Sequence, residues 1–394
     1  MGTQSEYIQR MQNLQASVER SGLQGFLVTA QDSIYYLTGV TYAPLERPFF
    51  ILVRPHGSAI LLAPALDQEH LAVAPNIGET RRYWDYPSPP GEGWPEQLQQ
   101  LVAGIDSLGV EPSLPQEIAM TLTEYQLQVL PLVEGLRLVK SPYEVQKLRE
   151  AAKYADLGME KIIAAAYYGV SEIEIFSQGR SVQMQIIKET DFDPLNTSIL
   201  TAAWPRRLGT QPHGVPRLDD RLEAGPHIAL SFMRVNGYGA ECERTFFVSE
   251  PDERMQQMFA TMREARRRAF ALLRPGTTCA EIDQAANGFL RQEGLGEFLL
   301  HRTGHGFGLG NHEGPWVADG SPDVLAENML VSIEPGIYIP GLGGFRHSDT
   351  VLVTAGGYEC LTHFPDDLGA LTLHASKPLT RLKGALVRKA VGIN

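Results

Sequence analysis

At 394 residues the chain is longer than one ordinary core accommodates, so two domains are expected. With 43% hydrophobic and 20% charged residues it has the composition of a globular protein, and it lacks the run of about 18 apolar residues that could span a bilayer. A net charge of −12 argues against nucleic acid or an anionic membrane as a partner. The locally basic stretch at residues 377–389 reads as a solvated tail. Met1-Gly2-Thr3-Gln4-Ser5-Glu6 has neither the basic nor the apolar region of a signal peptide, so no export is expected. Cys242, Cys279 and Cys360 are odd in number and far apart, which fits neither a disulfide framework nor a zinc cluster; a reducing, cytoplasmic location is expected.

In chain order, a polar helix over residues 5–21 is followed by four strand-like segments. These are Gly25-Phe26-Leu27-Val28, Ile34-Tyr35-Tyr36-Leu37, Phe49-Phe50-Ile51-Leu52-Val53 and Ala59-Ile60-Leu61-Leu62, and together they predict an α/β unit. Residues 87–93, rich in proline and glycine, read as a loop. Ser141-Pro142-Tyr143-Glu144 supplies an N-cap, a proline at the first helical position and a glutamate three residues after the cap. A long helix should start there, and a domain boundary is placed just before it. Thr278-Cys279-Ala280-Glu281 forms a second such signal ahead of a helix over residues 282–293, with Gly294 as its stop. Strand-like segments at residues 228–232, 244–248, 329–333 and 350–354 lie between the helices, giving an α+β order.

Four segments join catalytic residue types to glycines. The first holds His213 in a loop. The second carries Glu241 and Glu243, which face one side if the segment is a strand; such a pair shares a proton, holds a metal or binds a cation. Their bland reading is a solvated strand edge with Arg244 as partner. The third runs from His301 to Glu313 and includes His305 and His312. Its glycines lack the lysine of a phosphate loop and the spacing of a dinucleotide fold, and read instead as letting the backbone approach a ligand. The fourth runs from Ser332 to Thr350 and places Glu334 at the end of a buried strand, where a carboxylate needs a cation, a metal or donors. Arg346 and Ser348 follow in the same segment.

In their order and spacing these segments resemble the C-terminal domain of the pita-bread superfamily (methionine aminopeptidase, prolidase, creatinase) over about residues 140–370. Glu46-Arg47-Pro48 before a strand resembles the N-terminal domain of the prolidase and creatinase branches. The resemblance implies an α+β architecture. A creatinase-type α/β domain at residues 1–138 is expected, then a pita-bread catalytic domain at residues 139–375 and a basic tail at residues 376–394.

The resemblance also implies a two-metal ligand set of two aspartates, a histidine and two glutamates. His305 and Glu334 match two of these; Glu241 replaces the second aspartate, Leu230 or Ser231 stands at the first, and Ser348 replaces the last glutamate. A dinuclear centre is not expected, because two adjacent cations need bridging carboxylates. Absence of any cofactor is the first expectation, and a single divalent ion, Mn²⁺ or Zn²⁺, on Glu241, His305 and Glu334 is the alternative.

Glu243-Arg244-Thr245 resembles creatinase, which works without metal. This implies a homodimeric hydrolase of a carbon–nitrogen bond in a small carboxylate-bearing or dipeptide substrate. His213 is expected as acid and base, Glu243 and Glu334 as substrate-orienting groups, and His305 or His312 as oxyanion donor. Glu241, Arg346 and Ser348 are expected to bind substrate, and Arg47, from the same or the partner subunit of the dimer, its carboxylate. A metal-dependent Xaa-Pro dipeptidase and a non-catalytic binding protein are the rival readings.

Overall fold

The computed structural model describes residues 3–71, 73–374 and 376–393, so Met1 and Gly2 of the segment read for export lie outside the described residues. Two compact units emerge, Met1–Arg137 and Leu138–Asn394. No helix among the described residues is long and apolar enough to cross a membrane.

In the first unit the helix Thr3–Arg20 precedes a six-stranded mixed sheet. Its strands are β1 (Gly25–Val28), β2 (Phe50–Val53), β3 (Ala59–Pro64), β4 (Ile77–Tyr83), β5 (Leu108–Val110) and β6 (Leu127–Val129), in the order β4-β3-β2-β1-β5-β6. Every residue of β1, β2 and β3 is buried, as uninterrupted apolar runs require of strands covered on both faces. Ile34-Tyr35-Tyr36-Leu37, read as strand-like, instead lies in the helix Gln31–Thr38. Four successive apolar residues carry no period of their own, and burial at the helical spacing of Ile34, Leu37 and Thr38 decides the matter. Gly39, with φ of +72°, closes that helix.

The second unit opens on the helix Pro142–Ala165, whose capping box forms with both hydrogen bonds in place. Its strands are β7 (Ser198–Trp204), β8 (Pro226–Val235), β9 (Tyr238–Phe247), β10 (Gly304–Gly306), β11 (Glu313–Val317), β12 (Leu330–Ser332), β13 (Gly336–Ile339), β14 (Gly343–Arg346), β15 (Ser348–Thr354) and β16 (Gly357–Cys360). The main sheet runs β11-β10-β12-β15-β9-β8-β7 with β16 on β15, and β13 and β14 form a separate ribbon. Asn236 and Gly237, at φ of +48° and +95°, make the two-residue turn between β8 and β9. That turn sets Leu230 opposite Glu243 and Phe232 opposite Glu241.

The second capping box also forms, but the helix beyond it contains a π turn at Gln284–Gly288 between Cys279–Asp283 and Phe289–Gln292. Asn287 donates to Asp283, four residues before it, at 2.9 Å, and both reach the segment that carries the site histidines. The basic C-terminal segment is not a free tail. Pro378–Ala390 is a helix, Lys377 Nζ donates to the carbonyls of Ile163 and Ala166, and Arg388 pairs with the buried Glu174. Local charge described its outer face and missed the residues that anchor it.

Glu172 supplies a test of this packing. Both its carboxylate oxygens accept the Ala203 N–H at 3.2 Å, and burial pushes its pKa from 4.5 to about 8. The folded protein therefore holds a proton that the unfolded chain releases, and this stabilisation is complete below about pH 4.5 and lost as pH rises through about 8. Glu172→Gln should flatten the fall of the urea midpoint over that range; a slope unchanged from wild type would contradict the assignment.

Candidate active site

One cavity of about 390 Å³ in the second unit gathers most of the expected site residues. His213 reaches it from the loop between β7 and β8, Glu241 and Glu243 from β9, His312 from the loop before β11, and Glu334 from the segment after β12. Leu200, Trp204, Leu230 and Phe232 form an apolar wall. Glu241 and Glu243 do share a sheet face, but they are only 5% and 3% exposed, which removes the reading of a solvated edge. Arg244 cannot be their partner, because strand alternation turns it to the other face, where it pairs with Asp349 at 2.8 Å.

Three carboxylates in one buried space repel one another, and each is handled differently. Glu243 is gripped by the Arg346 guanidinium through two bonds of 2.5 and 2.7 Å. Burial works against that cation, but the Glu243 carboxylate holds Arg346 well above its ordinary pKa, so the two form a buried ion pair. Glu334 lies 3.2 Å from His305 Nε2. Burial alone would raise Glu334, yet the imidazole beside it outweighs burial and holds the carboxyl at about 2. Glu241 makes no ion pair among the described residues. Burial first, then the charges of Glu334 and Glu243, push it up to about 8, and Ser348 Oγ donates to its Oε1 at 2.7 Å.

The histidines divide in the same manner. His301 has both nitrogens engaged, Nδ1 with the Arg302 carbonyl and Nε2 with the Tyr338 hydroxyl, each at 2.7 Å. Burial lowers its pKa, so the neutral ring donates from Nδ1, accepts at Nε2 and has no nitrogen left for substrate. The His312 ring lies tilted against that of His305, 4.0 Å between centroids, and burial and the His305 charge lower the His312 pKa to about 4. It is a neutral ring at ordinary pH. His305 is 1% exposed; its Nδ1 faces the Gly306 carbonyl at 3.1 Å, while Nε2 makes no hydrogen bond despite its approach to Glu334. Burial works against its charge, but Glu334 and Glu241 raise its pKa, so without a metal ion the ring is a cation; a metal ion on Nε2 would take the place of that proton and leave Nδ1–H on the carbonyl.

Ligand atoms of Glu241, His305 and Glu334 lie within 4.8 Å of one another, so the three fit a single cation. They do not fit two. Of the pair proposed at the first aspartate position, Leu230 faces the cavity, while Ser231 turns away and donates to the Ala155 carbonyl at 2.6 Å. Neither an aliphatic side chain nor Ser348 supplies a bridging carboxylate.

One expected substrate-binding residue is otherwise committed. Arg346 is spent on Glu243 and on the Tyr338 hydroxyl. Arg47 lies in the first unit, where its guanidinium grips Asp85 at 2.7 and 3.2 Å and meets Glu46 at 3.0 Å. The glycines around His305 also serve a different end from the one expected. A Cβ at Gly304 would fall 2.0 Å from the Ser332 carbonyl oxygen and one at Gly306 1.9 Å from that of Gly314, so they let neighbouring strands close in. Sequence reasoning passed over His301 and Arg302 as site residues, and also Lys140. The Lys140 ammonium, fully buried, donates to Glu313 at 3.1 Å and so holds the end of the loop that carries His312; its place at the head of a capped helix gave no sign of this.

The matching family models span both units: residues 10–151 match the creatinase/prolidase N-terminal domain, and residues 146–355 match metallopeptidase family M24. The chain belongs to metallopeptidase family M24. Its architecture is that of the pita-bread superfamily, and the M24 assignment makes it a peptidase-type hydrolase. An uncharacterized peptidase of Staphylococcus aureus is 30% identical over 86% of this chain and 94% of its own length. Among solved structures, a Xaa-Pro dipeptidase from Bacillus anthracis is 28% identical, with a TM-score of 0.79 over 93% of this chain and 100% of that one. A prolidase from Thermococcus sibiricus is 25% identical, with a TM-score of 0.82 over 93% and 99%.

The Glu243–Arg346 pair gives a direct test. Arg346→Ala strands a buried carboxylate and should cost about 3–5 kcal/mol in urea denaturation, whereas the joint change of Glu243→Gln with Arg346→Met should cost much less. Equal losses from the single and double changes would show that the pair is not the unit.

Proposed function

We propose that this M24 chain hydrolyses the amide C–N bond of a small carboxylate-bearing dipeptide, of the Xaa-Pro type, with one divalent cation on Glu241, His305 and Glu334. The observation that carries this reading is the buried convergence of His305 Nε2 with carboxylate oxygens of Glu241 and Glu334, all within 4.8 Å of one another. The dipeptide class rests on the dipeptidases and prolidases that the fold resembles. Mn²⁺ or Zn²⁺, when bound, would supply Lewis-acid polarisation to the reacting carbonyl.

The chain's own residues do the rest. His213 takes the proton of the attacking water and returns it to the leaving nitrogen, a role suited to imidazole. Neutral His312 donates to the oxyanion as it develops, from a position already held by the Lys140–Glu313 contact. The Glu243–Arg346 pair provides a fixed polar floor with no net charge, and the Leu230 and Phe232 wall limits water. Ser348 keeps Glu241 pointed at the cation seat.

A second reading has its own support. Glu241 at a pKa of about 8 already holds a proton near neutrality, and a protonated carboxyl relieves the same repulsion as a cation. In this metal-free, creatinase-like mode His213 acts unaided.

Chelator treatment separates the two. The cation reading predicts that Xaa-Pro dipeptide hydrolysis is lost with chelator and restored by Mn²⁺ or Zn²⁺; full activity after chelation favours the second. In either mode His213→Ala should lower kcat by about 10²–10⁴-fold. Unchanged turnover would remove His213 from the mechanism.

A further inference from the structure

A carboxylate-bearing substrate needs a cation to receive it, and most guanidinium groups around the site are already occupied. Arg346 is held by Glu243, and Arg244 and Arg266 by Asp349 on the far face of the sheet. Arg302 differs. It lines the cavity, yet it makes no ion pair among the described residues. Its Nε donates to the Gly304 carbonyl at 3.1 Å, and its guanidinium carbon lies 4.6 Å from the centroid of the Trp316 ring. The hydrogen bond and the ring contact both restrain the side chain, while Nη1 and Nη2 meet no acceptor among the described residues. Arg302 shares the cavity with His213 and His312, beside the groups assigned to the reaction.

We propose that Arg302 is the specificity-determining residue that receives the substrate's terminal carboxylate, so that the enzyme selects dipeptides with a free C-terminus over amidated or extended ones. This rests on the hydrolase reading above. A planar guanidinium binds a carboxylate through two parallel N–H···O bonds, and here it is aimed before substrate arrives. The cavity, at about 390 Å³, is near the small end of ligand pockets, about 300–1,000 Å³, which agrees with a substrate that ends at the carboxylate.

The test uses proline and prolinamide, a product of the proposed cleavage and its uncharged-end counterpart, neither of which is turned over. Calorimetry on the isolated full chain should find proline bound at least about tenfold more tightly than prolinamide, the worth of a hydrogen bond to a charged group. Arg302→Met should bring the ratio close to one, and Arg302→Lys, which keeps the charge but loses the fork, should fall between. A wild-type protein without the preference, or an Arg302→Met protein that keeps it while folding as wild type does, overturns the proposal. Hydrolysis of Ala-Pro is measured alongside. Its absence would sink the peptidase reading, while the proline-to-prolinamide ratio would still decide the role of Arg302.

Discussion

Three glutamates share one buried cavity, and their mutual repulsion is the constraint from which the arrangement around it follows. Glu243 is matched by Arg346 and Glu334 by His305; Glu241 is left with a serine hydroxyl and a pKa of about 8. A proton or a cation must complete that third balance, because a buried carboxylate without either is costly. The five-ligand set implied by the family would require two further anions. Leu230 and Ser348 instead bring the cavity closer to neutrality, and this loss of charge leaves ligands for one cation rather than two.

The scaffold that maintains this balance is built from both faces of one sheet. On the cavity face, the Asn236-Gly237 turn fixes which residues of β9 oppose β8, and the Thr350 side chain exchanges hydrogen bonds with the Glu241 backbone. On the far face, Asp349 sits between Arg244 and Arg266 and also accepts from Thr362. Ser348 and Asp349 are neighbours that point opposite ways, so the charged network behind the strand holds the hydroxyl that orients Glu241. On the histidine side, Asp283 accepts both the N–H and the hydroxyl of Thr303, whose carbonyl in turn accepts the Glu334 N–H.

Much of this was legible in the sequence wherever a local pattern carries the physics. The capping boxes at Ser141 and Thr278 form as read, and the two-residue spacing of Glu241 and Glu243 put both into the cavity. What could not be read depends on pairing between distant segments. The Arg346 grip on Glu243 joins residues 103 apart, and nothing near either one announces it. Whether Leu230 or Ser231 faces the site turns on one residue of strand register, set by a turn several positions away. The glycines flanking His305 suggested a ligand because glycine permits any close approach, and only the neighbouring strands reveal which approach it is. Arg302 was hidden for a related reason: what sets it apart is the absence of the carboxylate partner that Arg244, Arg266 and Arg346 have.

The number of divalent ions bound per chain bears most directly on the central claim. Native mass spectrometry of the metal-free protein titrated with Mn²⁺ should show a single ion per chain, lost in Glu334→Gln. Two ions would mean that Leu230 and Ser348 do not remove the second seat; none would mean that Glu241, His305 and Glu334 are balanced by a proton alone.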